Sequence, residues 1–214
     1  MPLESLISQF NSFLDEAHTL KVRYARQINL LVGLETEYIT PSDLDKLSQL
    51  LQTAGSRIEY LVGSVHHTNT IPIDFDRETF NKSLESLSSP SASDHDRMET
   101  FLSSYFDAQY ELMQRFRPEI IGHFDLCRLY NPSLRFSDYP SALDKISRNI
   151  QFAISYGALF ELNAAAFRKG WDAAYPGEDV IKVKSKRLPP SCRTAHKVLP
   201  TVDHPSEWRT LRVV

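Results

Sequence analysis

Two kinds of periodicity alternate along this chain, and that alternation limits its fold more than any other feature. Residues 3 to 26 place Leu3, Leu6, Ile7, Phe10, Phe13, Leu14, Ala17 and Leu20 at three- and four-residue intervals, the stripe of an amphipathic helix. The next segment, INLLVGLE (Ile28 to Glu35), is a short and nearly continuous apolar run, the pattern of a strand buried on both faces. Thr40 and Pro41 then have the chemistry of an N-cap and first-turn proline for a helix over SDLDKLSQLLQTA. IEYLVGSVHH repeats the strand pattern. A polar loop and a Ser-rich stretch follow, then a helix from about Met98 to Phe116 and a third strand in EIIGHFDL. SALDKISRNIQFAISYG reads as a further helix, and ALFELNA as a fourth strand ending near Asn163. Helix and strand therefore alternate four times, which specifies parallel βα units in an α/β fold. Periodicity leaves open whether they close toward a barrel or form a doubly wound sheet.

Composition excludes several function classes. Apolar residues make up 42% and charged residues 24% of the 214 residues, ordinary values for a globular chain with one real core. No apolar run approaches the roughly 18 residues that span a bilayer, so no membrane role is expected. The acidic, amphipathic N-terminus does not read as a secretory signal, and a cytoplasmic location is expected. Two cysteines, Cys127 and Cys192, are too few for a disulfide scaffold or a thiolate zinc finger. A net charge of -3 offers no basic field for nucleic acid, which is not expected as a partner. After about Ile181 the text has neither period and is rich in Lys, Arg and Pro. The expected organisation is one domain over residues 1–181 and a basic, Pro-containing tail of little fixed structure over 182–214.

Candidate chemistry collects by position. Glu35, His66, His67, His123 and Asp125 each lie at the C-terminal end of an expected strand, and in a parallel barrel those ends converge on the face where active sites form. Imidazole nitrogens and carboxylate oxygens gathered together suit zinc, manganese or iron and suit calcium poorly. A single strand-end histidine is more often a hydrogen-bonded structural residue than a ligand; the coincidence of three strand ends is what raises the metal reading. Of Glu35 and Glu37 one is expected to face the mouth and the other solvent, and the adjacent His66 and His67 are expected to point apart. Asp76, before the helix expected at Arg77, fits a cap as readily as a site. Neither a glycine-rich phosphate loop nor a Ser-centred nucleophile elbow occurs in the sequence.

The blocks VGLETEYI, YLVGSVHHTNTIPIDFD, PEIIGHFDLCRLYNP and ALFELNAAAFRKGWDAAYPGED together resemble the histidinol-phosphatase branch of the PHP (polymerase and histidinol phosphatase) superfamily in its fungal form. The resemblance runs to about Ile181 and implies an incomplete parallel (β/α)7 TIM-like barrel. It implies a metal-dependent phosphoric monoester hydrolase of histidine biosynthesis that cleaves L-histidinol phosphate by attack of a metal-bound hydroxide. Zinc, manganese or iron are the implied metals, two or three in the complete family site. The resemblance makes Glu35, His66 and His123 metal ligands, and His67 a phosphate-orienting or acid group. It places Arg168 at the substrate phosphate and Asp74, Asp76 and Asp125 at the rest of the substrate. The family's opening His-x-His strand and late Asp-Ser-His motif are not in this sequence, so a truncated enzyme is expected. The rival expectations are a non-catalytic PHP relative acting as a binding or regulatory module, and a PHP phosphoesterase with another substrate.

Overall fold

The computed structural model describes residues 3–187 apart from Lys169 and Ala173. The first helix, α1 (Leu3–Tyr24), follows the predicted stripe, but only its middle is used. Leu14 is fully buried, and Phe10, Phe13 and Ala17 pack with Val32, Ala54 and Ile58 in a small satellite core. Leu6 and Ile7, one to two turns earlier, remain about half exposed. Ion pairs from Lys21 to Glu59 and from Arg57 to Asp15 fasten the helix along its length.

Strand β1 (Gly33–Glu37) begins five residues later than the apolar run suggests, because Ile28 and Leu31 lie open to solvent. The run is an approach segment, tied down where Val32 N–H donates to the Glu59 carboxylate at 2.8 Å. Helix α2 (Pro41–Ala54) is capped as expected by Thr40, whose hydroxyl accepts from Asp43 N–H. Strand β2 (Tyr60–Ser64) pairs parallel to β1, Gly33 opposite Tyr60 and Glu37 opposite Ser64. The expected polar loop contains a tight antiparallel hairpin of β3 (His67–Thr68) and β4 (Ile71–Pro72), turning through Asn69 and Thr70 at positive φ.

Helix α3 (Arg77–Ser86) is capped by Asp76, which accepts from Thr79 N–H at 2.7 Å. Helix α4 (Asp94–Phe116) starts four residues before the expected Met98 because Ser93 supplies an N-cap, accepting from Asp96 N–H at 3.1 Å. Strand β5 (Ile120–Ile121), helix α5 (Pro140–Ser155), strand β6 (Leu159–Phe160) and the short helix α6 (Ala165–Arg168) follow. Helix α7 (Glu178–Arg187) runs across the boundary expected at Ile181. Residues 188–214, most of the expected tail, lie outside the described residues.

The four parallel strands stand in the order β1-β2-β5-β6, the order of the chain. A doubly wound sheet reverses its order at a switch point; a sheet whose parallel strands advance in one direction is an arc of a barrel. The main core lies between this arc and α4 and α5. It contains Ile121 and Phe124 from the β5 region, Phe101, Tyr105 and Phe106 from α4, and Ile146 and Ile150 from α5, all buried. Polar groups stitch the same layer. Asn149 donates to Phe106 O at 2.7 Å and to Gln109, and Gln109 in turn donates to Phe124 O at 3.1 Å. Among the described residues no helix is long and apolar enough to cross a membrane.

Candidate metal centre

Three successive strands of the arc each deliver one ligand-type side chain to the same place. Glu35 is central in β1, His66 stands two residues beyond β2, and His123 two residues beyond β5. Their ligand atoms all lie within 4.8 Å of one another. His66 Nε2 is 3.0 Å from His123 Nε2, and these nitrogens are 3.9 Å and 3.5 Å from Glu35 Oε1. Ligands at the usual 2.0–2.1 Å from a tetrahedral zinc stand about 3.3 Å from each other, in the middle of these separations. Two imidazoles and a carboxylate at that spacing fit a borderline transition-metal ion by geometry and by donor chemistry.

The close packing of the strand ends has a local cause. Gly122 N–H donates to Gly63 O at 3.0 Å, and a Cβ on Gly122 would stand 2.6 Å from Ser64 Oγ. With no side chain there, β5 closes onto β2, and the Ser64 hydroxyl is free to donate to Glu35 Oε1 at 2.8 Å.

Charge in the site is arranged around the carboxylates. The hydrogen bond with His123 is the main influence on Glu35; with the Ser64 hydroxyl it outweighs burial and brings the carboxyl down to about 2. For Glu37 burial is the largest influence and pushes upward, but His66 and His67 together turn the net shift downward. Burial likewise works against the charge of His66. Glu37, Asp74 and Glu35 overcome it, and the imidazole is raised above its ordinary value. Without metal the centre therefore favours a protonated His66 between anionic neighbours.

Glu37 is a residue that sequence reasoning misjudged. Its Oε1 pairs with His67 Nδ1 and stands 3.7 Å from His66 Nδ1. Residues two apart in a strand share a face, so Glu35 and Glu37 both look toward the histidines instead of dividing between mouth and solvent. The histidine doublet does not diverge either, since one carboxylate engages both rings. The available signal was the spacing itself. Glu161, whose Oε2 accepts from His123 N–H at 2.9 Å, also escaped notice.

The remaining expected residues scatter. Asp74 is half-buried and close enough to raise His66. Asp76 is exposed and occupied as the cap of α3. Arg168 is the exposed last residue of α6, and its side chain makes no hydrogen bond or ion pair among the described residues. Asp125 departs from the expected substrate role. The chain turns at His123 and enters a 3-10 turn at Leu126–Arg128, which carries Asp125 into the interior with no exposed surface. There its Oδ2 accepts from Arg128 Nη2 at 2.6 Å and from Gly177 N–H at 2.8 Å.

Compared with known proteins, residues 3–165 match the model of the PHP domain. The chain belongs to the PHP domain family. Within that family it is 42% identical to a Schizosaccharomyces pombe protein assigned as a histidinol-phosphatase, over 84% of this chain and 57% of the relative. It is 30% identical to the histidinol-phosphatase of Saccharomyces cerevisiae, over 86% of this chain and 61% of that protein. The chain thus spans about three fifths of the length of these relatives. A crystal structure of a Listeria monocytogenes protein assigned as a histidinol phosphatase superposes with a TM-score of 0.66 at 18% identity, covering 83% of this chain and 67% of that one. The PHP fold here is accordingly an incomplete TIM-like barrel, consistent with the one-directional strand order.

Proposed function

We propose that the chain is a histidinol-phosphatase, hydrolysing L-histidinol phosphate to L-histidinol and phosphate, with zinc, manganese or iron held by Glu35, His66 and His123. The observation that carries this reading is the convergence of those three side chains from three successive parallel strands of a PHP fold. A complete family site holds two or three metals, of which these residues serve one. A divalent metal bound there supplies a nucleophile at neutral pH and offsets charge on the phosphoryl oxygens.

The chain's own groups divide the remaining work. Glu35, held low, stays anionic at all working pH values and is ready to ligate. His66 must give up its proton to bind metal, and metal binding and protonation compete at that nitrogen. With Nδ1 engaged by Glu37, His67 has Nε2 left to give a proton to the leaving oxygen of the substrate, oriented by the carboxylate behind it. Asp74 faces the same neighbourhood and suits the cationic amino group of histidinol. Arg168, exposed and uncommitted, has the planar fork that binds two phosphate oxygens. A reducing cytoplasm suits the free thiol of the buried Cys127.

The test is phosphate release from L-histidinol phosphate by the purified chain with manganese or zinc, beside a Glu35→Ala control and a panel of other phosphomonoesters. Release that depends on metal, disappears in the control and favours histidinol phosphate is the expected result. No release by a folded, metal-loaded chain overturns the assignment, and equal release across the panel replaces the substrate.

A further inference from the structure

The weakest point in the construction of the centre is the way His123 is held. A metal-ligating histidine is ordinarily oriented by a hydrogen bond at its other ring nitrogen. His123 Nδ1 is buried and meets no hydrogen-bond partner among the described residues. Its backbone is also unusual, with φ at +20°, a value disfavoured for any side-chain-bearing residue and stable only where surrounding structure enforces it. The ring is engaged only through Nε2, toward His66 and Glu35, so the main chain has to supply the rest of its placement.

The parallel ladder explains where that enforcement arises. Ile120 and Ile121 pair with Leu159 and Phe160, and the last backbone bond of the ladder runs from Glu161 N–H to Ile121 O at 2.9 Å. Beyond it β5 turns away, and His123 N–H has lost any backbone acceptor on β6. The Glu161 side chain takes over, its Oε2 accepting from His123 N–H at 2.9 Å. The carboxylate is itself braced, because Oε1 accepts from Asn163 Nδ2 at 3.0 Å. Asn163 is fixed in turn by its Oδ1, which accepts from Ala165 N–H, and by a two-way backbone bridge with Tyr175.

We propose that Glu161 is the positioning residue of the metal centre: by accepting from the main-chain N–H of His123 it holds that residue in its positive-φ turn and so aims Nε2 at His66 and Glu35. Glu161 does not touch the metal or the substrate in this role. The inference rests on the reading of Glu35, His66 and His123 as a metal site, and it concerns how one ligand is kept in place.

The test compares the full chain with Glu161→Ala, Glu161→Gln and His123→Ala in two measurements, zinc affinity by competition with a chelator and, without metal, the ring 15N shifts of His66. Outer-shell partners of metal ligands are typically worth 10–100-fold in affinity. Glu161→Ala should lose affinity in that range and shift the His66 ring resonances as the His123 ring departs. Glu161→Gln, whose amide oxygen can still accept, should restore most of both, which a general loss of stability would not do. If Glu161→Ala does not melt cooperatively, Glu161→Leu, which fills the space without an acceptor, takes its place. Wild-type affinity in the variant, or loss of affinity with unmoved His66 resonances, overturns the positioning role. Equal affinity in wild type and His123→Ala instead overturns the metal site, and the His66 resonances then decide the positioning role alone.

Discussion

A single oxygen of Glu37 is shared by two imidazoles, His67 Nδ1 in direct contact and His66 Nδ1 at 3.7 Å. The sharing has a pH signature in the metal-free chain. His66 is raised above the ordinary 6.5, so its contribution to stability is present below 6.5 and is lost as the pH climbs through the folded value. Glu35 is lowered from 4.5 to about 2, so its contribution is present above 4.5 and is lost as the pH falls toward 2. These two groups together favour the window between 4.5 and 6.5. Thermal midpoints of the metal-free chain should fall on either side of that window, and Glu37→Gln should flatten the alkaline fall. A variant whose alkaline limb matches wild type would remove Glu37 from the account. Glu35, His66 and His123 were legible in the sequence because each follows an apolar run next to or inside a strand, His66 and His123 just beyond β2 and β5 and Glu35 within β1. Glu37 was misassigned although its spacing from Glu35 carried the answer. Glu161 left no trace, since a side chain that accepts a backbone N–H on a neighbouring strand has no pattern of its own. Asp125 misled because a carboxylate beside a strand end looks alike from sequence whether the next turn faces solvent or core.

At the level of elements, the helices were better read than the strands. An amphipathic stripe reports burial directly, whereas an apolar run does not say whether it is buried in a sheet or in a loop. EIIGHFDL shows the difference: only Ile120–Ile121 is strand, while Phe124 and Leu126 enter the core from a turn. The start of α4 was missed because Ser93 belongs to a Ser-rich stretch that reads as loop until its capping bond to Asp96 is seen. Asp76 offers a test of such a cap. Asp76→Ala should remove the cap and lower the thermal midpoint by roughly 2–4 °C for a domain of this size, while Asp76→Asn should retain nearly all of the stability. A rise in KM for phosphate ester in Asp76→Ala without loss of stability would return this carboxylate to the substrate site.

At the scale of the whole molecule, one buried cation ties the turn after β5 to the start of α7. Arg128, 4% exposed, bonds both the fully buried Asp125 and Asp179 at the start of α7, and lies 4.7 Å over the Phe136 ring. Truncating Arg128 would leave Asp125 charged and uncompensated, a situation that costs about 3–5 kcal/mol. Urea unfolding of Arg128→Ala should show a loss of that order, partly recovered when Asp125→Asn is added; a loss below 1 kcal/mol, the scale of a surface pair, would show that the pair is solvated. The sequence conveyed the alternation of helix and strand but not this tie, which joins residues some fifty positions apart. The strand order was equally hidden, because periodicity identifies strands without naming their neighbours. That order, β1-β2-β5-β6, also sets a timetable. During synthesis each strand after β1 finds its preceding neighbour already made, so the sheet can grow from one edge in the order of the chain. The ligands keep the same schedule: Glu35 leaves the ribosome first, His66 second and His123 third, with Glu161 emerging after all three. On the site and the Glu161 role proposed above, an ion is gripped in full only once β6 has followed β5 into place, which ties loading of the metal to completion of the sheet.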